Sequence, residues 1–143
     1  MSRLTENGSW TLQVVIKYYQ LYDGSTDPRA DSRGVGYWEN FRVADETDNF
    51  KLTIGRRIKA DNMAGSDPWS GHNGCSFSTK NRDNDRSDTN CASTYKSGWW
   101  FKHCRYVCLN CEGEFLRTEK RYNWDDEKSR FLSESTMWMK RNE

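Results

Sequence analysis

The sequence predicts an α+β fold that is mainly antiparallel β with long loops. Three observations carry this expectation. A stretch near the start alternates with period two. The tract from residue 60 to 98 is poor in apolar side chains and rich in Asp, Asn, Ser, Gly and Thr. The apolar content that remains is dominated by aromatics, with 7 Trp, 7 Tyr and 6 Phe in 143 residues.

The elements follow in order. Trp10, Leu12, Val14, Ile16 and Tyr18 alternate with Thr11, Gln13, Val15 and Lys17, the pattern of a half-buried strand. Asp23-Gly24-Ser25 opens a polar loop that runs through Pro28 and Gly34 to Gly36. Tyr37 to Val43 reads as a second strand, and Phe50, Leu52 and Ile54 as a third that ends at Gly55. A turn at Asp45 to Asp48 makes those two antiparallel partners. Beyond Ile58 periodicity fades, and so long a loop in a compact domain needs ties other than a core. Trp99-Trp100-Phe101 is a dense anchor. Phe115, Trp124, Phe131, Met137 and Met139 are candidates to close the core, with Thr136 to Lys140 as a last strand. Residues 1–143 read as one domain.

Composition narrows the function. Lys+Arg number 22 and Asp+Glu 21, for a formal net charge of +1. That balance gives no electrostatic pull toward nucleic acid. Mean hydropathy is -1.07, and no apolar run is long enough to insert in a membrane. Residues behind Met1 lack the apolar segment of a signal peptide, so the start reads as that of an excised domain or a fragment. Asn7-Gly8-Ser9 is a glycosylation sequon, weak support for secretion.

The most chemical stretch is Asp83-Asn84-Asp85-Arg86-Ser87-Asp88-Thr89-Asn90. Calcium takes six to eight oxygens in loose geometry. Asp83 and Asp85 supply carboxylates at alternate positions, and Ser87 and Thr89 could add backbone carbonyls. The competing reading is a solvated acidic turn. An EF-hand does not fit, because Asp88 stands at the glycine position and Thr94 where a bidentate Glu is needed. Among the 5 Cys, Cys91 and Cys104 bracket the tryptophan anchor, and a bridge there would stabilise by about 3 kcal/mol. A four-thiolate zinc site from Cys91, Cys104, Cys108 and Cys111 is the alternative, although Cys91 and Cys104 lie too far apart for a knuckle. Cys108 or Cys111 with His103 would be the one nucleophile and base pair. Clustering around a disulfide is the simpler account, and the protein reads as not an enzyme.

Many residues in order resemble one family. Phe77-Ser78-Thr79-Lys80, Asp83-Asn84-Asp85, Asn90-Cys91-Ala92, Gly98-Trp99-Trp100, Cys104 and Leu109-Asn110 look like the signature run of the fibrinogen-related domain. Ficolins, tachylectins, angiopoietins and tenascins share it. Upstream, Leu4-Thr5, Gly8, Trp10, Leu12, Phe41-Arg42-Val43 and Phe50-Lys51-Leu52 resemble its preceding strands. His72-Asn73-Gly74 and Met137, Met139-Lys140 fit its later parts. The resemblance implies a fibrinogen C-terminal domain-like fold without its N-terminal subdomain, which leaves an edge strand exposed. It implies a calcium site at Asp83 and Asp85 with the carbonyls of Ser87 and Thr89, a Cys91–Cys104 disulfide, and a secreted, extracellular setting. It also implies a ligand pocket walled by His103, Cys104 and Arg105, with a cis peptide between His103 and Cys104. Phe115 and Tyr122 are further candidates for that pocket.

The function so implied is calcium-dependent, lectin-like binding of acetylated glycans, as in innate-immune members. The alternative is a protein–protein interaction module of the receptor-binding or polymerising kind, possible as an oligomer. Some residues depart from the family. Arg105 replaces the usual His and is longer and always charged. Cys111 follows Leu109-Asn110 in place of Gly, Cys75 stands where Met is common, and the segment from Leu109 to Trp124 is short.

Overall fold

The computed structural model describes residues 5, 7–20, 32–63, 67, 69–104, 107–111 and 130–143. Strand β1 is Trp10–Gln20, β2 Ser32–Trp38, β3 Arg42–Val43, β4 Leu52–Thr53, β5 Arg57–Asp61 and β6 Arg130–Arg141; a short helix α1 spans Cys91–Thr94. Four strands form one antiparallel sheet in the order β5-β2-β1-β6, and β3 pairs with β4. The fold is that of a mainly antiparallel β protein with little helix.

The period of two in β1 sets the sheet's two faces. Leu12, Val14 and Ile16 are buried, whereas Thr11, Gln13, Val15 and Lys17 are half-buried. Register places Leu12 beside Trp38 of β2 and Met139 of β6, and Val14 beside Gly36 and Met137. A bulge between Lys17 and Tyr18 interrupts the β1–β6 ladder.

Several boundaries differ from the sequence expectation. Gly34 and Gly36 lie within β2 and not in a loop. The sheet needs glycine there: a Cβ on Gly36 would sit 2.5 Å from the Trp38 ring, and one on Gly34 2.9 Å from Met63. The strand expected from Tyr37 to Val43 breaks after Trp38, because Asn40 turns left-handed at φ 54 before β3 begins. The third strand shrinks to β4, since Phe50 has φ 52 and leaves the extended region. Between β3 and β4, Asp45 caps a 3-10 turn by accepting the Thr47 N–H at 2.9 Å. β6 begins at Arg130, well before Thr136, and ends at Arg141, one residue past Lys140. Met137 packs against the core, but Met139 is 43% exposed and does not close it. Phe115 and Trp124 lie outside the described residues.

A row of aromatic rings joins the sheet to the long polar tract. Trp38 and Trp69 centroids are 5.7 Å apart, Trp69 and Trp99 5.5 Å, Trp99 and Trp100 5.4 Å, and Trp100 and Phe77 5.2 Å. Such offset and edge contacts stabilise beyond simple burial. Trp38 also donates its indole N–H to Asp67 at 2.9 Å, and Trp100 donates to the Phe50 carbonyl at 2.8 Å. The polar tract is thus ordered by aromatic anchors and not by a core of its own.

Candidate functional site

The acidic loop begins where the tract is clamped. Ser78 and Trp99 form an antiparallel bridge with N–H···O distances of 2.9 and 3.1 Å, and Thr79 pairs with Arg82 across a tight turn. Asn84 then bonds back, its backbone N–H to Ser78 Oγ at 3.0 Å and its side-chain amide to the Phe77 carbonyl at 2.7 Å. Asp and Ser side chains at alternate positions accept from the backbone two residues on, the turn chemistry these residues favour. Asp83 Oδ1 accepts the Asp85 N–H at 3.2 Å, and Asp85 Oδ1 accepts the Ser87 N–H at 2.8 Å. Ser87 Oγ and Thr89 Oγ1 lie 3.3 Å apart.

The loop ends on α1. Asn90 caps that helix, its Oδ1 accepting the Ser93 N–H at 2.8 Å. Asp85 Oδ2 accepts the N–H of Cys91, the first helical residue, at 3.0 Å. Cys91 is bonded to Cys104 with a Cα separation of 5.1 Å. The segment carrying Cys104 returns to the loop, since Arg86 donates its N–H to the Lys102 carbonyl at 2.9 Å. Loop, helix and the 102–104 segment are therefore one bonded unit.

Electrostatics in this unit are uneven. Burial raises the Asp85 carboxyl above its ordinary value. The N–H groups of Cys91 and Ser87 pull it down, and the Asp83 carboxylate beside it pushes it up again. Two carboxylates facing each other in this way repel. A dication held between them would relieve that repulsion. Among the described residues no group of three or more His, Cys, Asp or Glu converges. A site here would draw on two carboxylates, with carbonyls and water completing the shell.

The pocket candidates divide. His103 is exposed, and Cys104 is half-buried in its disulfide. Arg105, Phe115 and Tyr122 lie outside the described residues. The His103–Cys104 peptide is trans, which corrects the expectation of a cis bond; instead Cys104 takes the left-handed conformation at φ 66, and this redirects the backbone there. Lys102 and Cys104 form a bridge closed by Lys102 N–H to the Cys104 carbonyl at 3.0 Å.

Sequence reasoning leaves the remaining cysteines open. Cys108 and Cys111 are bonded to each other, with a Cα separation of 5.5 Å. Both disulfides consume the four thiols that a zinc site would need. Their close spacing is the available signal. Cys75 is a buried free thiol, and burial raises its pKa although Arg86 and Lys102 act against this. His72 is fully buried, and its role is structural. Its Nε2 accepts the Val107 N–H at 2.9 Å, so Nδ1 carries the proton and donates to the Trp100 carbonyl at 2.8 Å. Burial, helped by the Lys102 charge, lowers its pKa to about 4.

The family model described as fibrinogen beta and gamma chains, C-terminal globular domain, matches residues 4–142. Tenascin-R of Gallus gallus is 38% identical over 122 residues, covering 85% of this chain and 8% of that protein. Fibrinogen-like protein 1 of Rattus norvegicus is 35% identical over 114 residues, covering 75% of this chain and 33% of that protein. The chain therefore spans a third or less of these relatives' length. Among solved structures, the fibrinogen-like globe domain of human ANGPTL6 superposes with a TM-score of 0.74 at 22% identity, covering 98% of this chain and 60% of that one. With strand order, clamped acidic loop and helix-to-segment disulfide already in place, the protein belongs to the fibrinogen C-terminal globular domain family.

Proposed function

We propose that this protein is a calcium-dependent recognition module that works outside the cell and is not an enzyme. One observation carries the reading: Asp85 ties the acidic loop to Cys91, and Cys91 is covalently joined to Cys104, next to exposed His103. The carboxylates of Asp83 and Asp85 and the carbonyls of Ser87 and Thr89 would hold calcium. The ion would supply positive charge against the two repelling carboxylates. The protein's own residues do the rest. The loop fixes where α1 begins, the disulfide fixes Cys104, and together they set the surface around His103. Two disulfides suit an oxidising compartment. His72 and Cys75 are buried and shifted away from acid–base and nucleophilic work, which supports a non-catalytic role.

The ligand class under this reading is an acetylated glycan, met by His103, Cys104, Arg105, Phe115 and Tyr122. A protein ligand on the same surface is the second reading; Arg105 in place of the usual His and the short segment from Leu109 to Trp124 favour it. Calorimetric titration of N-acetylglucosamine into the calcium-loaded, oxidised protein, repeated with chelator, separates them. Saturable heat that disappears with chelator supports the lectin reading. Absence of heat from a cooperatively folded, calcium-binding protein rejects it in favour of a protein ligand.

A further inference from the structure

A groove of about 500 Å³ lies beside α1, within the usual range of small-ligand sites, about 300–1,000 Å³. One wall is the turn at Thr79 and Lys80, the second is α1 at Ala92 and Ser93, and the third is the return from Lys96 to Gly98. Asn90 staples the first wall to the second. Its Oδ1 accepts the Ser93 N–H at 2.8 Å, and its Nδ2 donates to the Lys80 carbonyl at 3.3 Å. The Ser97 N–H holds the third wall to the second, on the Ala92 carbonyl at 3.1 Å. The Gly98 carbonyl in turn accepts from Asn110 Nδ2 at 3.0 Å. A Cβ on Gly98 would stand 3.0 Å from the Phe77 ring, so glycine suits this wall where it passes Phe77. Backbone and amide bonds thus fix the groove's shape before any ligand arrives.

Its chemistry is one-sided. Lys80 and Lys96 bring positive charge, Thr79, Ser93 and Ser97 bring hydroxyls, and no acidic residue lines it among the described residues. Lys80 makes no ion pair there, and the Thr79 and Ser93 hydroxyls make no hydrogen bond, among the described residues. A hydroxyl can donate or accept, and an ammonium is a compact charge with three donors. Such a set matches a tetrahedral oxyanion, whereas a planar carboxylate is better met by the fork of an arginine. Ala92 and Gly98 are small and leave room for a sugar ring beside the anion. The chain's formal net charge is only +1, so this positive charge is local and not a property of the whole surface.

We propose that this groove binds a sugar carrying a sulfate or phosphate ester. The ester oxygens accept from the Lys80 and Lys96 ammoniums and the Ser93 hydroxyl. The ring lies toward Ala92 and Gly98, where Thr79 and Ser97 meet its hydroxyls. Sulfate and phosphate esters share the chemistry that the groove recognises, a tetrahedral anion held on a polar ring. None of these residues belongs to the calcium set or to the surface at His103, so the proposal stands apart from the function proposed above.

Calorimetric titration of the oxidised protein with a glucose sulfate ester, a glucose phosphate ester, plain glucose, inorganic sulfate and inorganic phosphate tests it. At least one ester gives saturable heat, and the tighter of the two identifies the source of the anion. Glucose gives none, and each inorganic anion binds about tenfold more weakly than its ester. Lys80→Gln weakens ester binding about fivefold, a loss that shrinks as salt screens the charge. Ser93→Glu sets a carboxylate in the groove and abolishes binding. Ser93 is the third residue of the helix that Asn90 caps, a position that favours Glu, so this variant keeps the wild-type Tm. A folded wild type that takes up neither ester overturns the proposal. Ester binding that both variants leave unchanged overturns it equally, as does an inorganic anion that binds as tightly as its ester.

Discussion

Asp85 accepts the backbone N–H of Cys91 at 3.0 Å, and Cys91 is the residue that carries the disulfide to Cys104. One carboxylate oxygen thus connects the acidic loop to a covalent crosslink. The other oxygen of Asp85 accepts from Ser87 at 2.8 Å, so this carboxylate is committed to holding two backbone positions.

Asp85→Asn is expected to act in two ways. It halves the acceptor capacity at this junction, which costs about 1.5–3 kcal/mol for a charge-assisted bond. Under the proposed function it would also remove a calcium ligand. Urea denaturation in chelator should show the first effect, and loss of the calcium-induced rise in Tm the second. A variant that melts like wild type in chelator would remove Asp85 from the junction.

Calcium itself should bind weakly. Two carboxylates place the site among extracellular modules, with Kd of about 10⁻⁴–10⁻³ M. At about 10 mM calcium, linkage then adds about 1–3 kcal/mol to stability. Thermal unfolding across a calcium series measures this. A Tm that does not move with calcium would reject the site.

Stability should fall with acidity through His72. Its folded pKa of about 4 lies below the unfolded 6.5, so the unfolded state takes up the proton first. The neutral, doubly bonded ring contributes fully above pH 6.5, and the contribution is lost as pH falls toward 4, for about 3 kcal/mol in all. His72→Gln should flatten that part of the pH profile of unfolding free energy.

The two disulfides should differ in worth. Cys91–Cys104 spans 13 residues and Cys108–Cys111 spans 3. Loop-closure entropy gives about 3 kcal/mol for the first and about 2 kcal/mol for the second. Paired Cys→Ala variants compared by denaturant unfolding would show the order. In either case the Cys75 thiol should react with reagent only after unfolding, because it is buried.

Gly36→Ala should destabilise by about 1–3 kcal/mol or more. The added methyl meets the fully buried Trp38 ring at 2.5 and 2.7 Å. Trp38 is itself held by Asp67 and Trp69, so it has little room to yield. Calorimetric Tm measures the loss.

Those same glycines explain what the sequence concealed. Gly34 and Gly36 read as loop residues because glycine usually interrupts regular structure. In the sheet they make room for large neighbours, a need visible only once β2 lies beside Met63 and Trp38. β1 was legible because one of its faces is fully buried and the other is not. β5 was not, because as an edge strand it buries little; only Arg57 is half-buried, and Lys59 pairs with Asp61 in solvent. The acidic loop announced itself through Asp and Ser at alternate positions, each closing a local turn. The Cys108–Cys111 bond could not be read, since spacing alone leaves several pairings open. The left-handed φ at Cys104 was hidden too, because it depends on the tertiary surroundings.

The row of rings from Trp38 through Trp69 and Trp99 to Trp100 has an optical consequence. Indoles this close exchange excitation, so emission depolarises among them and their transitions couple in the ultraviolet. The sheet and the acidic tract stand at opposite ends of this row. Separating them would uncouple the indoles even if each part kept its own backbone structure. Light absorbed by the protein thus reports directly on whether the sheet and the tract stay packed together, without any label being added.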